Sequence, residues 1–478
     1  MLGTVTAWVF AATIAVAPGE SIQAAIDVAM PGDTVVVAAG TYAESLRTVR
    51  DGDAGAPIAV RAAGDGDVVV TVSGRVLDVR HAYFTVDGVI FDGQYGARAA
   101  VAVDAAGHDF TLRNSEVRRS GRDCVDLGGA ANVTIERSAI HHCLDATGGR
   151  TDAHGVTGGA VRNLTIRDSD IHTFSGDAIQ FAPARPDPGW DGIVIEGCRL
   201  WLEPLPQPEN GFAAGVVPGE NAVDTKTPAG GPRASLIIRD TTAFGFRGGM
   251  ISNMAAFNLK ENIDAVVDGV TVYDSEIALR LRFPARVRVQ NALIYDSDTA
   301  VRYEDGIEEL RLWNVTIGAG VGRALRAASS AGSAVDVRNT AVVAASLPDE
   351  AAGVASNLAV PAGAFDAAHR PVAGSPVIDT GEPIAEVTAD RAGTPRPQGA
   401  GYDVGAFEFC GAACGSPDAG AGADAGGADA GGAGSADGDA AGGCGCRAGG
   451  RRSPAWAASV LVAAALARVR RRGRRRGP

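Results

Sequence analysis

The chain has 478 residues, a formal net charge of −13 and 5% aromatic residues, and glycine alone fills 64 positions. Residues 447–478 hold ten arginines and no acidic residue, which leaves −23 on the remainder of the chain. Nucleic-acid binding needs clustered basic surface, so a body this acidic argues against a general nucleic-acid binder. The composition suits an exported protein built from many short strands.

The first residues are predicted to form a secretory signal segment followed by a short helix. An apolar run in MLGTVTAWVFAA lacks a positive start, but a sequence resembling a cleavage site at 9–11 predicts a signal over residues 1–11. The next segment has the spacing of an amphipathic helix that would cap the open end of the fold. Its apolar positions are Ile22, Ala25, Ile26 and Ala29.

An internal repeat dominates the middle of the chain. VYDSEIALRLR at 272 recurs as IYDSDTAVRYE at 294, and short strands with a polar end recur throughout. Repeats of this length with alternating apolar residues indicate a solenoid, and their Gly, Asn, Asp and Ser corners favour a parallel β-helix. The copies are FTVDG at 84, FTLRN at 110, VTIER at 133, LTIRD at 164, IVIEG at 193, LIIRD at 236, VRVQN at 287, LRLWN at 310 and VDVRN at 335.

The opening motif GESIQAAID…PGDTVVV…GTY and these repeats resemble the pectate-lyase-like superfamily of right-handed parallel β-helix proteins, over roughly residues 15–345. The resemblance implies an all-β fold, a right-handed parallel β-helix of about ten coils over residues 12–345 with an N-terminal helical cap. GSPVIDTG…GYDVGAFE resembles a C-terminal module of such proteins, which predicts a closing module over 346–409.

The C-terminal residues predict a linker and a surface anchor. Residues 410–446 are mostly Gly/Ala/Asp repeats, predicted to be a disordered linker. Cys444-Gly445-Cys446 and the apolar, arginine-rich residues 447–478 resemble the C-terminal sorting tail of myxobacterial surface proteins, which implies processing and lipid attachment near the cysteines. A membrane anchor with its positive end inside is the alternative. We expect export, either to the cell surface and outer membrane or into the medium, with membrane contact only through this tail.

Three of the seven cysteines, Cys124, Cys143 and Cys198, lie in the predicted coil. An odd number allows at most one disulfide there and leaves one thiol over. Small buried core residues are the alternative interpretation for all three.

The only two lysines of the chain fall on one predicted sheet surface. Successive side chains of a strand face opposite ways, so in LRLR the leucines at 279 and 281 point inward and the arginines outward. Extending this alternation over the stacked coils predicts two outward columns. The first contains Asp126, His154, Gln180, Asp224, Asn258, Arg280 and Arg302, and the second contains Lys226, Lys260, Arg282 and Glu304.

These columns predict β-elimination from an acidic, uronate-containing polysaccharide. Arg280 and Arg282 would neutralise the carboxylate, and Lys226 or Lys260 would remove the adjacent proton, with repulsion between the two ammonium groups favouring a neutral amine. The chain is therefore predicted to be a polysaccharide lyase and a monomer, with no nucleic-acid partner. Its predicted substrate-binding residues are Asp224, Asn258, Arg302, Gln180 and His154.

Other functions remain open on the same fold. SGDA at 175 and DAHG at 152 faintly resemble motifs of β-helix glycoside hydrolases, which need converging carboxylates. A C5-epimerase would use a similar proton abstraction. A non-catalytic glycan-binding or adhesive surface solenoid would need the charged ladders only for binding and solubility.

Metal binding is a further open question. Asp126 and Asp224, together with Asp152 or Asp177, are candidate ligands for Ca2+, which is the one cofactor that the sequence suggests. His141, His142, His154 and His172 fall on different strand and corner positions, which favours hydrogen-bonded or exposed side chains over metal ligands.

Overall fold

The computed structural model describes residues 11–410, apart from 147–151, 183–188, 229, 283, 305 and 330–333. All of the predicted signal segment except its last residue lies outside the described residues. So do the linker after its first residue and the whole predicted sorting tail. Within the described part, no helix is long and apolar enough to cross a membrane.

The described residues form many short strands and little helix. Helix α1 spans Ile22–Val28, and a 3-10 turn spans Ala362–Ala364. The first eighteen strands are β1 (Thr13–Val16), β2 (Thr34–Val37), β3 (Gly40–Tyr42), β4 (Leu46–Arg47), β5 (Ile58–Ala62), β6 (Val68–Thr71), β7 (Leu77–Val79), β8 (Phe84–Asp87), β9 (Val89–Asp92), β10 (Val101–Val103), β11 (Thr111–Arg113), β12 (Glu116–Ser120), β13 (Val125–Asp126), β14 (Ala131–Glu136), β15 (Ala139–Cys143), β16 (Val156–Gly158), β17 (Arg162–Arg167) and β18 (Asp170–Phe174). The others are β19 (Ile179–Phe181), β20 (Asp191–Glu196), β21 (Arg199–Trp201), β22 (Val223–Thr225), β23 (Ala234–Arg239), β24 (Thr242–Phe246), β25 (Ala255–Leu259), β26 (Ile263–Asp268), β27 (Thr271–Arg282), β28 (Arg286–Gln290), β29 (Leu293–Ile294), β30 (Ser297–Glu304), β31 (Glu309–Trp313), β32 (Thr316–Ile317), β33 (Arg323–Ala327), β34 (Val335–Arg338), β35 (Ala341–Val343) and β36 (Leu358–Val360).

The strands stack into three ladders of parallel pairs, which confirms the predicted parallel β-solenoid. The first sheet has 13 strands, from β1 to β34. The other 23 strands form one sheet made of two ladders, which we call the second and third sheets. The second sheet runs from β3 to β36 and the third from β4 to β33, and the long β27 pairs in both and joins them. The solenoid has about 12 turns, compared with the predicted number of about ten. The difference arises because the first coils lack the repeat signature.

The polar residue that ends each sequence repeat forms the corner after a first-sheet strand. These corners adopt a left-handed backbone, with φ between 47° and 77°. Glycine reaches this region without strain, and Asn and Asp tolerate it better than other residues. The left-handed backbone of the corners therefore explains why Gly, Asn and Asp recur there. Arg137 is the one corner residue of another type. The corners are Gly88, Asn114, Arg137, Asp168, Gly197, Asp240, Asn291, Asn314 and Asn339.

The core is a stack of apolar side chains inside the coil. In the first sheet, Ile135, Ile166 and Ile195 lie in register and are buried. Each such side chain contributes about 1.5–3 kcal/mol on burial. Helix α1 packs on β1, β2 and β4 as predicted, with Ile22 and Ile26 buried and the Ser21 hydroxyl accepting from the amide of Ala24.

An aromatic stack follows the outside of the second sheet. Its rings lie face to face, from His141 on β15 to Tyr295 after β29, with centroids 4.2–5.7 Å apart. The registers of the strands set this spacing, because equivalent outward residues sit one strand apart. The members of the stack are His141, His172, Trp201, Phe244, Tyr273 and Tyr295.

Residues 346–409 pack on the C-terminal coils with little regular structure. Arg396 lies at the centre of this module with no exposed side-chain surface, and its guanidinium donates to Glu408 at 2.5 Å. The same side chain donates to the Gly405 carbonyl at 2.8 Å and to Asn291 of the coil at 3.3 Å. The ion pair lies within residues 346–409, and the hydrogen bond from Arg396 to Asn291 joins them to the solenoid.

Candidate functional site

The outward side of the third sheet, which we call the lysine face, carries the predicted first column with one change. The strand registers align Asp126, Thr157, Gln180, Asp224, Asn258, Arg280 and Arg302. Thr157 therefore takes the position predicted for His154. The sequence prediction was wrong there because residues 152–155, just before β16, lie outside any strand, so alternation could not be counted through them.

Both lysines meet at one carboxylate. Asp224 is buried on β22, and its Oδ1 lies 2.8 Å from Lys260 Nζ while its Oδ2 lies 3.2 Å from Lys226 Nζ. The Thr225 hydroxyl accepts from the Lys260 amide at 2.8 Å, which fixes the two lysines on neighbouring coils. The predicted second column is correct here, but the carboxylate offsets the repulsion that was expected between the two ammonium groups.

Asn258 continues this cluster toward the arginines. Its Nδ2 donates to Asp224 Oδ1 at 2.8 Å. Its Oδ1 is buried and has no hydrogen-bond partner among the described residues. A buried acceptor without a partner is unfavourable, so Asn258 presents an acceptor that a hydroxyl of a bound ligand could satisfy.

Three arginines converge on Glu304 in the next coils. Arg280 Nε lies 2.6 Å from Glu304 Oε1, Arg302 lies 2.8 Å from Oε2, and Arg282 Nε lies 3.3 Å from Oε1. Burial alone would raise the pKa of Glu304, but hydrogen bonds and charge from Arg280 and Arg302 outweigh it and lower the pKa. One carboxylate against three guanidinium groups leaves a net positive patch that suits an anionic ligand.

His154 and Gln180 belong to a buried polar cluster beside the column. The Asp177 amide donates to His154 Nδ1 at 2.9 Å, and Gln180 Nε2 donates to Asp177 Oδ2 at 2.8 Å. Asn221 Nδ2 donates to the other oxygen, Oδ1, at 2.8 Å. Burial and the nearby charge of Asp224 raise the pKa of Asp177. The predicted residues are thus near the lysines, but His154 acts as a hydrogen-bond partner within the wall.

Glu220 is a candidate that the sequence reasoning missed. It ends the long excursion between β21 and β22, where no strand alternation predicts a direction. Burial, followed by the charges of Asp177, Asp152 and Asp224, raises the pKa of Glu220 to about 7. Lys226 acts in the opposite direction. Its place after a Pro/Gly-rich excursion beside the lysine strand was the only sequence signal available.

The predicted calcium ligands do not fit one ion. Asp126 and Asp224 lie three strands apart in register, which is roughly 14 Å at the spacing of a sheet. Calcium–oxygen distances are about 2.3–2.6 Å, so a single ion cannot contact both carboxylates. Asp224 is already paired with both lysines, and no group of three or more His, Cys, Asp or Glu side chains within the described ranges is arranged to hold a metal.

The three cysteines of the coil form one disulfide and leave one free thiol, which agrees with the first of the two interpretations. Cys124 and Cys143 form a disulfide with Cα atoms 5.4 Å apart, and Cys198 is a buried free thiol. Burial raises the pKa of the Cys198 thiol to about 12, so it is unreactive at neutral pH.

Comparisons with known proteins find one family model and several solved structures that are similar to parts of the chain. A family model described as chondroitinase B matches residues 16–116, which lie before the lysine face. A crystal structure of pectate lyase Pel9A is 16% identical, with 83% of this chain and 96% of that chain covered and a TM-score of 0.45. An alginate lyase from Paenibacillus sp. strain FPU-7 is 17% identical, with coverages of 69% and 99% and a TM-score of 0.45.

A third similar structure is the A-module of the mannuronan C-5 epimerase AlgE4 from Azotobacter vinelandii, 15% identical, with coverages of 66% and 94% and a TM-score of 0.47. No curated protein matches the sequence. At these identities the likeness is one of fold alone. The chain is a parallel β-solenoid whose N-terminal coils are similar to the chondroitinase B family.

Proposed function

We propose that the protein is a polysaccharide lyase that cleaves an acidic, uronate-containing glycan by β-elimination on the lysine face. The observation that carries the proposal is the meeting of two lysines at Asp224, one coil from the Arg280–Arg282–Arg302 patch. Elimination needs a cation to neutralise the uronate carboxylate and a base to remove the adjacent proton. The match of the N-terminal coils to a family named for chondroitinase B supports this substrate class.

Lys260 is the better placed base of the two lysines. Arg282 lies one strand from Lys260 and two strands from Lys226, with about 4.8 Å for each strand spacing, so a uronate whose carboxylate binds Arg282 would bring its acidic proton closer to Lys260. The Lys260 side chain is 13% exposed and that of Lys226 is 41% exposed. We therefore assign the proton transfer to Lys260. Lys226 would pair with Asp224 and remain in contact with solvent.

The excess of positive charge in the cluster supports an anionic substrate. Two ammonium groups and three guanidinium groups face two carboxylates, Asp224 and Glu304, which leaves an excess of positive charge. A uronate carboxylate would bind the arginines, and Lys260 would remove the proton next to it. The electron pair of that C–H bond then forms the new double bond, while the bond to the leaving oxygen breaks and this oxygen takes a proton from solvent.

The test is an assay of the full chain on pectate, alginate and glycosaminoglycans, followed by the ultraviolet absorbance of unsaturated uronate. General-base removal costs about 10²–10⁴-fold, so we expect a loss of this size in kcat for Lys260→Arg and a loss nearer tenfold for Lys226→Arg. Arginine keeps the positive charge and is a matched replacement. A fully active Lys260→Arg variant would remove this lysine from the chemistry, and saturable binding without product would indicate a binding solenoid.

A glycoside hydrolase is the second candidate, because of one observation. Glu220, with a pKa raised to about 7, interacts electrostatically with Asp224, so a proton donor and a carboxylate share the site. Glycosidic hydrolysis uses two carboxyl groups, one as the acid and the other as the base or nucleophile. New reducing ends without ultraviolet absorbance, lost in Glu220→Gln, would favour this function over elimination.

Export to the cell surface is proposed alongside the activity. The Cys124–Cys143 disulfide supports an oxidising compartment, since cytosolic proteins rarely keep such bonds. Replacing Cys444 and Cys446 by Ala should release the protein from the membrane fraction if the tail is processed there. Unchanged fractionation would indicate a simple hydrophobic anchor.

A further inference from the structure

Two consecutive histidines at the end of β15 bring their ring nitrogens together. Neighbouring residues of a regular strand face opposite sides, but His142 has a left-handed φ of 55°. This local turn brings the imidazole rings of His141 and His142 next to each other, with Nδ1 atoms 2.6 Å apart. The sequence reasoning placed these residues at unrelated positions, which this pairing corrects.

Carboxylates fix the other nitrogen of each ring. His141 Nε2 lies 3.2 Å from Glu116 Oε1, and His142 Nε2 lies 3.5 Å from Glu209 Oε2. An ionised carboxylate only accepts hydrogen bonds, so these contacts favour a proton on each Nε2 and a lone pair on each Nδ1. Two such nitrogens 2.6 Å apart need a cation between them, either a proton or a metal ion.

We propose that His141 and His142 are the ligands of a divalent transition metal, such as Zn2+ or Cu2+, bound through both Nδ1 atoms. Metal-binding histidines commonly donate their second ring N–H to a carboxylate, which orients the ring and raises its basicity. Zn–N distances of about 2.0–2.1 Å require the two nitrogens to separate to about 3.3 Å, which a small ring rotation provides.

The surroundings suit a divalent cation. Glu116 and Glu209 would balance a divalent charge, although Arg118 also contacts Glu116 at 2.8 Å. The described residues place no third protein ligand on the pair, so the remaining positions would be open to water or an exogenous ligand.

Metal binding would connect two parts of the chain. Glu209 lies on the excursion between β21 and β22, where it also accepts from the Tyr95 hydroxyl. The same excursion ends at Glu220 on the lysine face. Fixing His142 against Glu209 would therefore steady the excursion that borders the proposed active site.

The experiment is calorimetric titration of the full chain with Zn2+, together with electron paramagnetic resonance of the Cu2+ form. We expect saturable binding at one site and hyperfine coupling from two imidazole nitrogens. His142→Gln should abolish both, and Glu116→Gln should weaken binding by about 10-fold or more. The thiols of the chain are the same in every variant, so a difference between variants reports the imidazoles.

His108→Gln is the matched control, because His108 is half-exposed and pairs only with Asp109 in the described residues. A second readout is thermal unfolding, where Zn2+ should raise the midpoint of the parent but not of His142→Gln. Absence of saturable binding, or binding undiminished in His142→Gln, would overturn the proposal. A fold defect would appear as a lowered midpoint of that variant without metal.

Discussion

At the scale of single residues, Asp224 organises the candidate site. It contacts Lys260 through both oxygens and Lys226 through Oδ2, and it accepts from the Asn258 amide, so three outward side chains depend on one buried carboxylate. A carboxylate so placed positions the lysines without reacting. Alternation along the strands predicted which of these residues face outward. It does not predict side-chain rotamers, so the contacts of Asp224 with the two lysines could not be predicted from the sequence.

Glu220 gives a residue-scale prediction for the dependence of stability on pH. Its pKa rises from the ordinary 4.5 to about 7 in the fold. Between these values the folded state holds a proton that the unfolded state has lost, so the free energy of unfolding falls as pH rises from about 4.5 to 7. Glu220→Gln should remove this fall and stabilise the protein by about 1 kcal/mol at alkaline pH, since solvent screens a partly exposed group.

The measurement is urea unfolding of the parent and Glu220→Gln at acid and alkaline pH. Glu203→Gln, on the same excursion and exposed, is the matched control and should leave the profile of the parent unchanged. Equal pH profiles for the parent and Glu220→Gln would show that this carboxyl does not hold the extra proton.

At the scale of elements, the aromatic stack on the second sheet links strands that are distant in sequence. His172 lies between His141 and Trp201, with ring centroids 4.8 Å and 4.2 Å away. Strand register could have predicted this stack once the coils were aligned. The excursions could not be placed in this way, because their residues follow no period, and that is why Glu209 and Glu220 escaped the sequence reasoning.

His172 makes the stack sensitive to acid. Burial, then the charges of His141 and His142, lowers the pKa of His172 from 6.5 to about 3. The unfolded chain takes up a proton below about pH 6.5 that the folded chain refuses, so stability is lost as pH falls. At pH 5 this loss is about 2 kcal/mol. His172→Phe should keep the stacking and abolish this part of the acid sensitivity.

Thermal unfolding at neutral pH and at pH 5 measures this effect for the parent and His172→Phe. His81→Phe provides the control for a histidine outside the stack. An acid-induced loss of equal size in the parent and His172→Phe would contradict the assignment.

At the scale of the whole molecule, the solenoid ends in a module joined to it by buried charge. Arg396 bridges Glu408 in the module and Asn291 in the coil. Removing one partner of a buried pair leaves an uncompensated charge and costs about 3–5 kcal/mol. Arg396→Met should therefore destabilise residues 346–409 and expose them to protease before the coils unfold.

Limited proteolysis with mass spectrometry would locate the first cuts. The double variant Arg396→Met with Glu408→Gln is the control, because it removes both members of the pair and should recover part of the loss. First cuts in the coils rather than in the module would show that the pair does not govern docking.

The fold as a whole was predictable because corner residues and inward side chains obey one period. Residues 152–155 lie outside the strands and break that period, which is why Thr157 rather than His154 lies in the column. The closing module has little regular structure, and its buried contacts join residues far apart in sequence, such as Arg396 and Asn291. The sequence pattern therefore could not predict where these residues pack on the coil.

The excursion between β21 and β22 also bears on how such a protein can diversify. Gln180 and Asp224 are neighbours in register although 44 positions separate them, whereas Arg280 and Arg302 are neighbours across 22. An insertion between two sheets thus lengthens the chain without shifting the ladder on either side. Evolution, or an engineer, can exchange this excursion to alter which polymers reach the face while the lysines and arginines keep their mutual spacing.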